Sequence, residues 1–254
     1  MATAEIRVDR RDHVAVLTVH DPDRRNALTL SLSADLASAV AECEQDEDVH
    51  AVVVTGTPPA FCAGADLTAL GEAREAGLRQ IYAGFLALAH CTLPTIAAVG
   101  GSAVGAGLNL ALACDVRLAN QHARFDSRFL QLGIHPGGGM TWMLPRATGQ
   151  QTTAAMALFG QVVDAATAHR VGLVWQLVDG EHDALVDAAV ELAGPAARAP
   201  RELVLATKRT MRTTAVLDEH AAAVEAELAA QLVSMESPAF TERLAAMKER
   251  ISRR

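Results

Sequence analysis

Hydrophobic and polar positions alternate from the start of the chain. Ile6 and Val8, then Val14, Val16 and Val19, flank Arg10, Arg11 and Asp12, which predicts two strands joined by a tight turn. The spacing then lengthens. Leu32, Leu36, Ala39, Val40 and Cys43 recur at helical intervals, with Ser31 or Ser33 as the expected cap, and the helix gives out in the acidic run at 44–48. Ala51–Val54 is wholly apolar, as in a strand buried on both faces, and empties into the loop 55–67. A helix is predicted over 72–91, carrying Leu78, Ile81, Tyr82, Phe85, Leu86 and Leu88 and stopped by Pro94. A strand over 95–99, a glycine turn, a helix over 106–113 and a strand over 116–119 follow.

The first 145 residues thus repeat a strand, loop and helix unit, the pattern of an α/β core with active loops at one end of its strands. After Pro145 helical signals dominate, at 150–159, 164–171, 181–193, 200–213, 216–234 and 238–252, around a short strand at 174–178. Val216, His220, Val224, Leu228 and Leu232 stand four apart, and Phe240, Leu244, Met247 and Ile251 continue an apolar stripe. Such faces need a cover, and a neighbouring subunit is the natural candidate.

Residues 98–144 hold the densest glycine pattern. Gly100, Gly101, Gly105 and Gly107 allow tight turning after the apolar run, and a helix starting near Ala106 aims unpaired N–H groups outward, as an anion site requires. The anion is not a dinucleotide: no G-x-G-x-x-G with an acidic partner follows a strand. Ser102 is not a nucleophile elbow, because Val104 stands where the second glycine belongs.

Composition narrows the classes. With 254 residues, 50% apolar and 20% charged, the chain can bury a large core, and a net charge of -8 argues against nucleic acid as partner. Cys43, Cys62, Cys91 and Cys114 form no C-x-x-C pair and read as reduced core thiols, with no metal site. The N-terminus lacks a signal-peptide pattern and no run reaches 18 apolar residues, so a cytoplasmic protein with no membrane contact is expected.

Four segments are specific enough to name a family: A-F-C-A-G-A-D-L at 60–67, P-T-I-A-A-V-G-G-S-A-V-G-A-G-L-N-L-A at 94–111 with Cys114 and Asp115, Phe125 through G-I-H-P-G-G-G at 133–139, and D-P-D-R-R-N-A-L at 21–28. Together they resemble the crotonase (enoyl-CoA hydratase/isomerase) superfamily over essentially the whole chain. The resemblance implies an α/β fold, a crotonase-like spiral of ββα units over 1–195, with a C-terminal helical trimerisation region over 196–254, assembling as a homotrimer or a dimer of trimers. It implies an acyl-CoA thioester as partner, with coenzyme A part of the substrate and no separate cofactor. The thioester oxygen would lie between the backbone N–H groups of Ala65 and Ala106, stabilising an enolate. Ala106 replaces the more usual glycine and keeps its N–H provided its φ is helical. Arg24, Arg25, Ala63 and Asp66 would contact CoA; read alone, Asp66 is a helix cap and the two arginines are a solvated turn.

Hydratases of this family use two glutamates, and here their positions hold Asn109 and Phe129, neither of which transfers a proton near neutral pH. Other members place an acid or Tyr on the loop that here contains His135, or a His near the position of Tyr82. His135 is either the acid/base group or a histidine simply bonded to backbone, and Tyr82 is either a catalytic hydroxyl or one member of an apolar helix face. Strand alternation would turn Asp126 and Arg128 away from the side Phe129 faces, unless a helical turn has begun. Two readings follow: an enzyme of the enoyl-CoA hydratase/isomerase type with atypical acid/base residues, or a non-catalytic acyl-CoA-binding protein on the same fold.

Overall fold

The computed structural model describes residues 3–253, and the chain divides at Ala197/Arg198 into two compact units. The larger unit begins with the antiparallel hairpin β1 (Glu5–Arg11) and β2 (Val14–His20), turned by Asp12 at φ 53. Helix α1 (Leu30–Gln45) is capped by Thr29, whose side chain accepts from Leu32 N–H, and not by either expected serine. Ser33 instead lies buried inside the helix and donates to the Gln80 and Ile81 carbonyls.

Then come β3 (Ala51–Gly56), β4 (Ala60–Cys62), α2 (Leu67–Glu72), α3 (Glu75–His90), β5 (Thr95–Val99), β6 (Ser102–Val104), α4 (Ala106–Ala113), β7 (Val116–Ala119), β8 (Arg124–Asp126) and α5 (Phe129–Leu132). The unit closes with α6 (Met140–Phe159), β9 (Val163–Asp164), α7 (Ala165–Arg170), β10 (Gln176–Leu177) and α8 (His182–Ala197). Helix α6 starts before Pro145 and breaks at Gly149, where φ is 77.

Two sheets organise these elements. The six-stranded sheet runs β1-β2-β3-β5-β7-β10, parallel from β2 onward. One of its faces packs Val14, Val16, Val53, Ile96 and Leu118 against Leu185, Val186 and Ala189 of α8. The four-stranded sheet runs β4-β6-β8-β9, and β4, β6 and β8 are parallel. The first two strands of that small sheet fall where the residue pattern predicts loops. At three residues each they are too short to show a period. Helix α4 is buried along its whole length, so it fixes the chain that leads into it.

The smaller unit comprises α9 (Arg201–Thr214), α10 (His220–Met235) and α11 (Pro238–Ser252). Val216 lies before α10, not in its stripe, and Val224, Leu228, Leu232, Phe240, Leu244, Met247 and Ile251 are all exposed. No described helix is long and apolar enough to cross a membrane.

Candidate functional site

Parallel pairing of β4, β6 and β8 brings the ends of three short strands together, so the segments leaving them meet at one place. Ala63–Asp66 leaves β4, Gly105–Ala106 leaves β6, and Ser127–Phe129 leaves β8. All three line one cavity of about 600 Å³, together with Leu67, Leu70, Leu78, Ile81 and Tyr82 from α2 and α3, and Leu132, Ile134 and His135 beyond α5. The active loops therefore belong to the small sheet, not to the large one that the apolar runs suggest.

The two backbone donors have definite surroundings. Leu28 N–H donates to Gly64 O at 2.7 Å and Asp66 N–H donates to Leu28 O at 2.9 Å, as in a parallel bridge around Ala65. That geometry turns the Ala65 N–H away from Leu28. Ala106 is the first residue of α4 and is absent from the positive-φ residues, so its φ satisfies the helical condition and its N–H is one of the free donors at a helix start. Among the described residues neither N–H has a hydrogen-bond acceptor. Gly64 brings the two segments together: at φ +104 a side chain is disfavoured, and a Cβ would lie 2.8 Å from Val104 O.

Asn26 supports this arrangement, and the residue pattern does not single it out. It is fully buried at φ 59; its Nδ2 donates to Thr57 O at 2.8 Å and Ala60 O at 2.7 Å, and its Oδ1 accepts from Asp21 N–H at 2.9 Å. An Asn in the polar loop between an apolar strand and a helix is the available signal. Cys62, behind the loop, is a buried thiol that burial pushes up to about 12, so it is no nucleophile.

The expected site residues separate as follows. Asp66 caps α2, accepting from Ala69 N–H at 3.0 Å, and also lines the cavity. Ala63 lines it as well, with its N–H donated to Arg25 O at 3.0 Å. Arg24 is on the cavity wall, whereas Arg25 is exposed at φ 54. Asn109 and Phe129 both line the cavity. Asn109 Nδ2 donates to Gly137 O at 2.9 Å, and its Oδ1 is buried without a partner among the described residues.

Tyr82 also reaches the cavity, its ring 5.4 Å from that of Phe85. His135 is exposed, with Nδ1 2.7 Å from Pro136 O. A carbonyl only accepts, so Nδ1 carries the proton and Nε2 is left as the acceptor of the neutral ring. Ser127 is buried, with its hydroxyl committed to Met156 O at 2.8 Å.

A helical turn has begun at Phe129, and Arg128 at φ 60 is swung onto the cavity wall rather than away from it. Strand alternation fails here because β8 ends at Asp126. Among the described residues no three His, Cys, Asp or Glu side chains gather as a metal would require.

The chain resembles known proteins over nearly its whole length. The model of the enoyl-CoA hydratase/isomerase family matches residues 9–252. A Mycobacterium tuberculosis protein described as a probable enoyl-CoA hydratase is 55% identical over 247 residues, covering 94% of this chain and 95% of that one. The 1,2-epoxyphenylacetyl-CoA isomerase of Escherichia coli is 36% identical over 195 residues, 74% of each chain. The crystal structure of an enoyl-CoA hydratase from Bacillus anthracis superposes with a TM-score of 0.89 at 28% identity, covering 97% of this chain and 96% of that one.

Proposed function

The chain belongs to the enoyl-CoA hydratase/isomerase family, and we propose that its cavity seats an acyl-CoA thioester whose oxygen is held between the Ala65 and Ala106 N–H groups. The observation that carries this is the pair of backbone donors without acceptors, from two adjacent strand ends, on the wall of one cavity. Each donor aimed at a developing oxyanion lowers the barrier by roughly 3–4 kcal/mol. Arg24 and Arg25, in the loop beside them, are suited to the CoA phosphates.

The reaction that fits is proton transfer through an enolate rather than hydration driven by two glutamates. Neither Asn109 nor Phe129 has a group that ionises near neutral pH. His135 Nε2 takes the α-proton while the oxyanion hole holds the charge that develops on the thioester oxygen. The imidazolium then returns the proton to the conjugated carbon, which shifts the double bond with no net change in protons. The Tyr82 hydroxyl is the second candidate donor in the same wall.

A non-catalytic acyl-CoA-binding protein is the alternative. It is favoured by the replacement of both glutamates and by the exposure of His135. In either case we propose that the exposed apolar faces of α10 and α11 are covered by further copies in a homotrimer or a dimer of trimers, which sedimentation equilibrium tests directly.

The deciding experiment is α-proton exchange in D₂O on a panel of acyl-CoAs, run beside calorimetric binding. Exchange that His135→Ala abolishes supports the enzyme. Tight binding with no exchange, hydration or isomerisation at any chain length leaves the binding protein.

A further inference from the structure

Arg128 is held in a way that its pairing with Asp126 alone does not require. Its backbone takes φ 60 and ψ -16, a conformation that non-glycine residues seldom adopt. In that turn its N–H donates to Asp126 Oδ1 at 2.8 Å, while Nε and Nη2 donate to Oδ2 at 2.8 and 2.6 Å. The Asp126 side chain is buried, at 5% exposure, while the Arg128 side chain is 49% exposed and lines the cavity.

A guanidinium has two hydrogen-bonding edges. Asp126 occupies the one formed by Nε and Nη2. Nη1 has no partner among the described residues, so the Nη1/Nη2 edge is open and already oriented. The wall around it is largely hydrocarbon, with Phe129, Leu132, Ile134, Leu70 and Ile81. A fixed cation in such a wall selects for an anion.

We propose that Arg128 is a specificity residue that receives a carboxylate carried on the acyl group, so that the preferred ligands are thioesters of dicarboxylic acids. The proposal rests on the acyl-thioester reading of the cavity. Its position supports the acyl end over the CoA end. Asp126 pairs in register with Val104, and Gly105 N–H donates to Asp126 O at 2.9 Å, so Arg128 follows the strand end adjacent to the Ala106 donor. Arg24, the other cavity arginine, comes from the separate loop 21–28. Asp126 leaves the pair formally neutral, so a second carboxylate gains a charge-assisted hydrogen bond and not a full unscreened ion pair.

The test is calorimetry on succinyl- through suberyl-CoA, each against the monocarboxylic thioester of equal carbon count, with free CoA as reference. The proteins are the wild type and the double variant Asp126→Asn/Arg128→Gln, which leaves no carboxylate buried without its partner. The expected result is at least one dicarboxylic thioester bound about tenfold or more tightly than its monocarboxylic match by the wild type, with that ratio falling to near one in the variant. The proposal is overturned if no pair shows a preference, or if the preference survives in the variant. It is also overturned if the variant weakens free CoA and both series alike, which would make Arg128 a phosphate contact. Failure of the monocarboxylic thioesters and CoA to bind the wild type would instead overturn the acyl-CoA reading itself.

Discussion

Asn109 and Gly137 lock two walls of the cavity together: the buried amide of α4 donates through Nδ2 to the Gly137 carbonyl at 2.9 Å. A Cβ at Gly137 would meet the Tyr82 hydroxyl, so a side chain there would displace Tyr82. Asn109 therefore holds the glycine loop against α4 through a buried amide.

Restoring carboxylates tests whether the reacting carbons lie between these positions. Asn109→Glu with Phe129→Glu should raise hydration of a 2-enoyl-CoA by ~10² or more over the wild type, read as loss of absorbance of the conjugated thioester. The Asn109 change should also cost about 1–3 kcal/mol of stability, because the Gly137 carbonyl loses its donor. A folded double variant with no gain would place the β-carbon elsewhere.

The Ala106 N–H can be removed alone. Ala106 opens α4, where proline fits because the first N–H of a helix has no partner within it. Ala106→Pro should leave the thermal midpoint within a few degrees of the wild type and lower α-proton exchange ~10²- to 10³-fold. An unchanged exchange rate in a folded variant would exclude this N–H as an oxyanion donor.

The residue pattern and the structure agree where packing imposes one period. Ala106–Ala113 and Val116–Ala119 fall where they were expected because glycines and a Cys-Asp turn bound them, the helix being buried at every residue and the strand at Leu118 and Ala119. Agreement fails where tertiary pairing decides. The strands Ala60–Cys62 and Ser102–Val104 exist because each has a neighbour in space. Helix α2 is six residues without a buried face, so only its cap, Asp66, was legible. Ala65 and Ala106 were named through the family resemblance alone, and both lie on the cavity wall. The inward turn of Arg128 was not legible, because it depends on the side chain of Asp126 two residues earlier.

Asn26 is expected to be the residue on which the loop geometry depends most. Asn26→Gly keeps access to the left-handed backbone and removes every side-chain bond to Thr57, Ala60 and Asp21. A loss of about 2–4 kcal/mol in denaturant unfolding is expected, with weaker thioester binding, since buried carbonyls lose their donors. A stability change under about 0.5 kcal/mol would show that these contacts are not limiting.

His182 should give the stability curve a dependence on pH. Its Nδ1 is buried without a partner among the described residues, close to Gly100 at the start of α8. Burial pushes its pKa below the ordinary histidine value, against a smaller opposing effect of Asp183. The unfolded chain therefore binds this proton more readily than the folded one. Stability is full above the unfolded value of about 6.5 and is lost as pH falls from there toward the lower folded value. Glu181, paired with His122, lies beside it in the chain, so the variant must be compared with the wild type at each pH. Thermal midpoints measured from pH 7.5 to 5 should fall less steeply for His182→Asn than for the wild type. Parallel curves would mean that His182 takes up its proton equally well in both states.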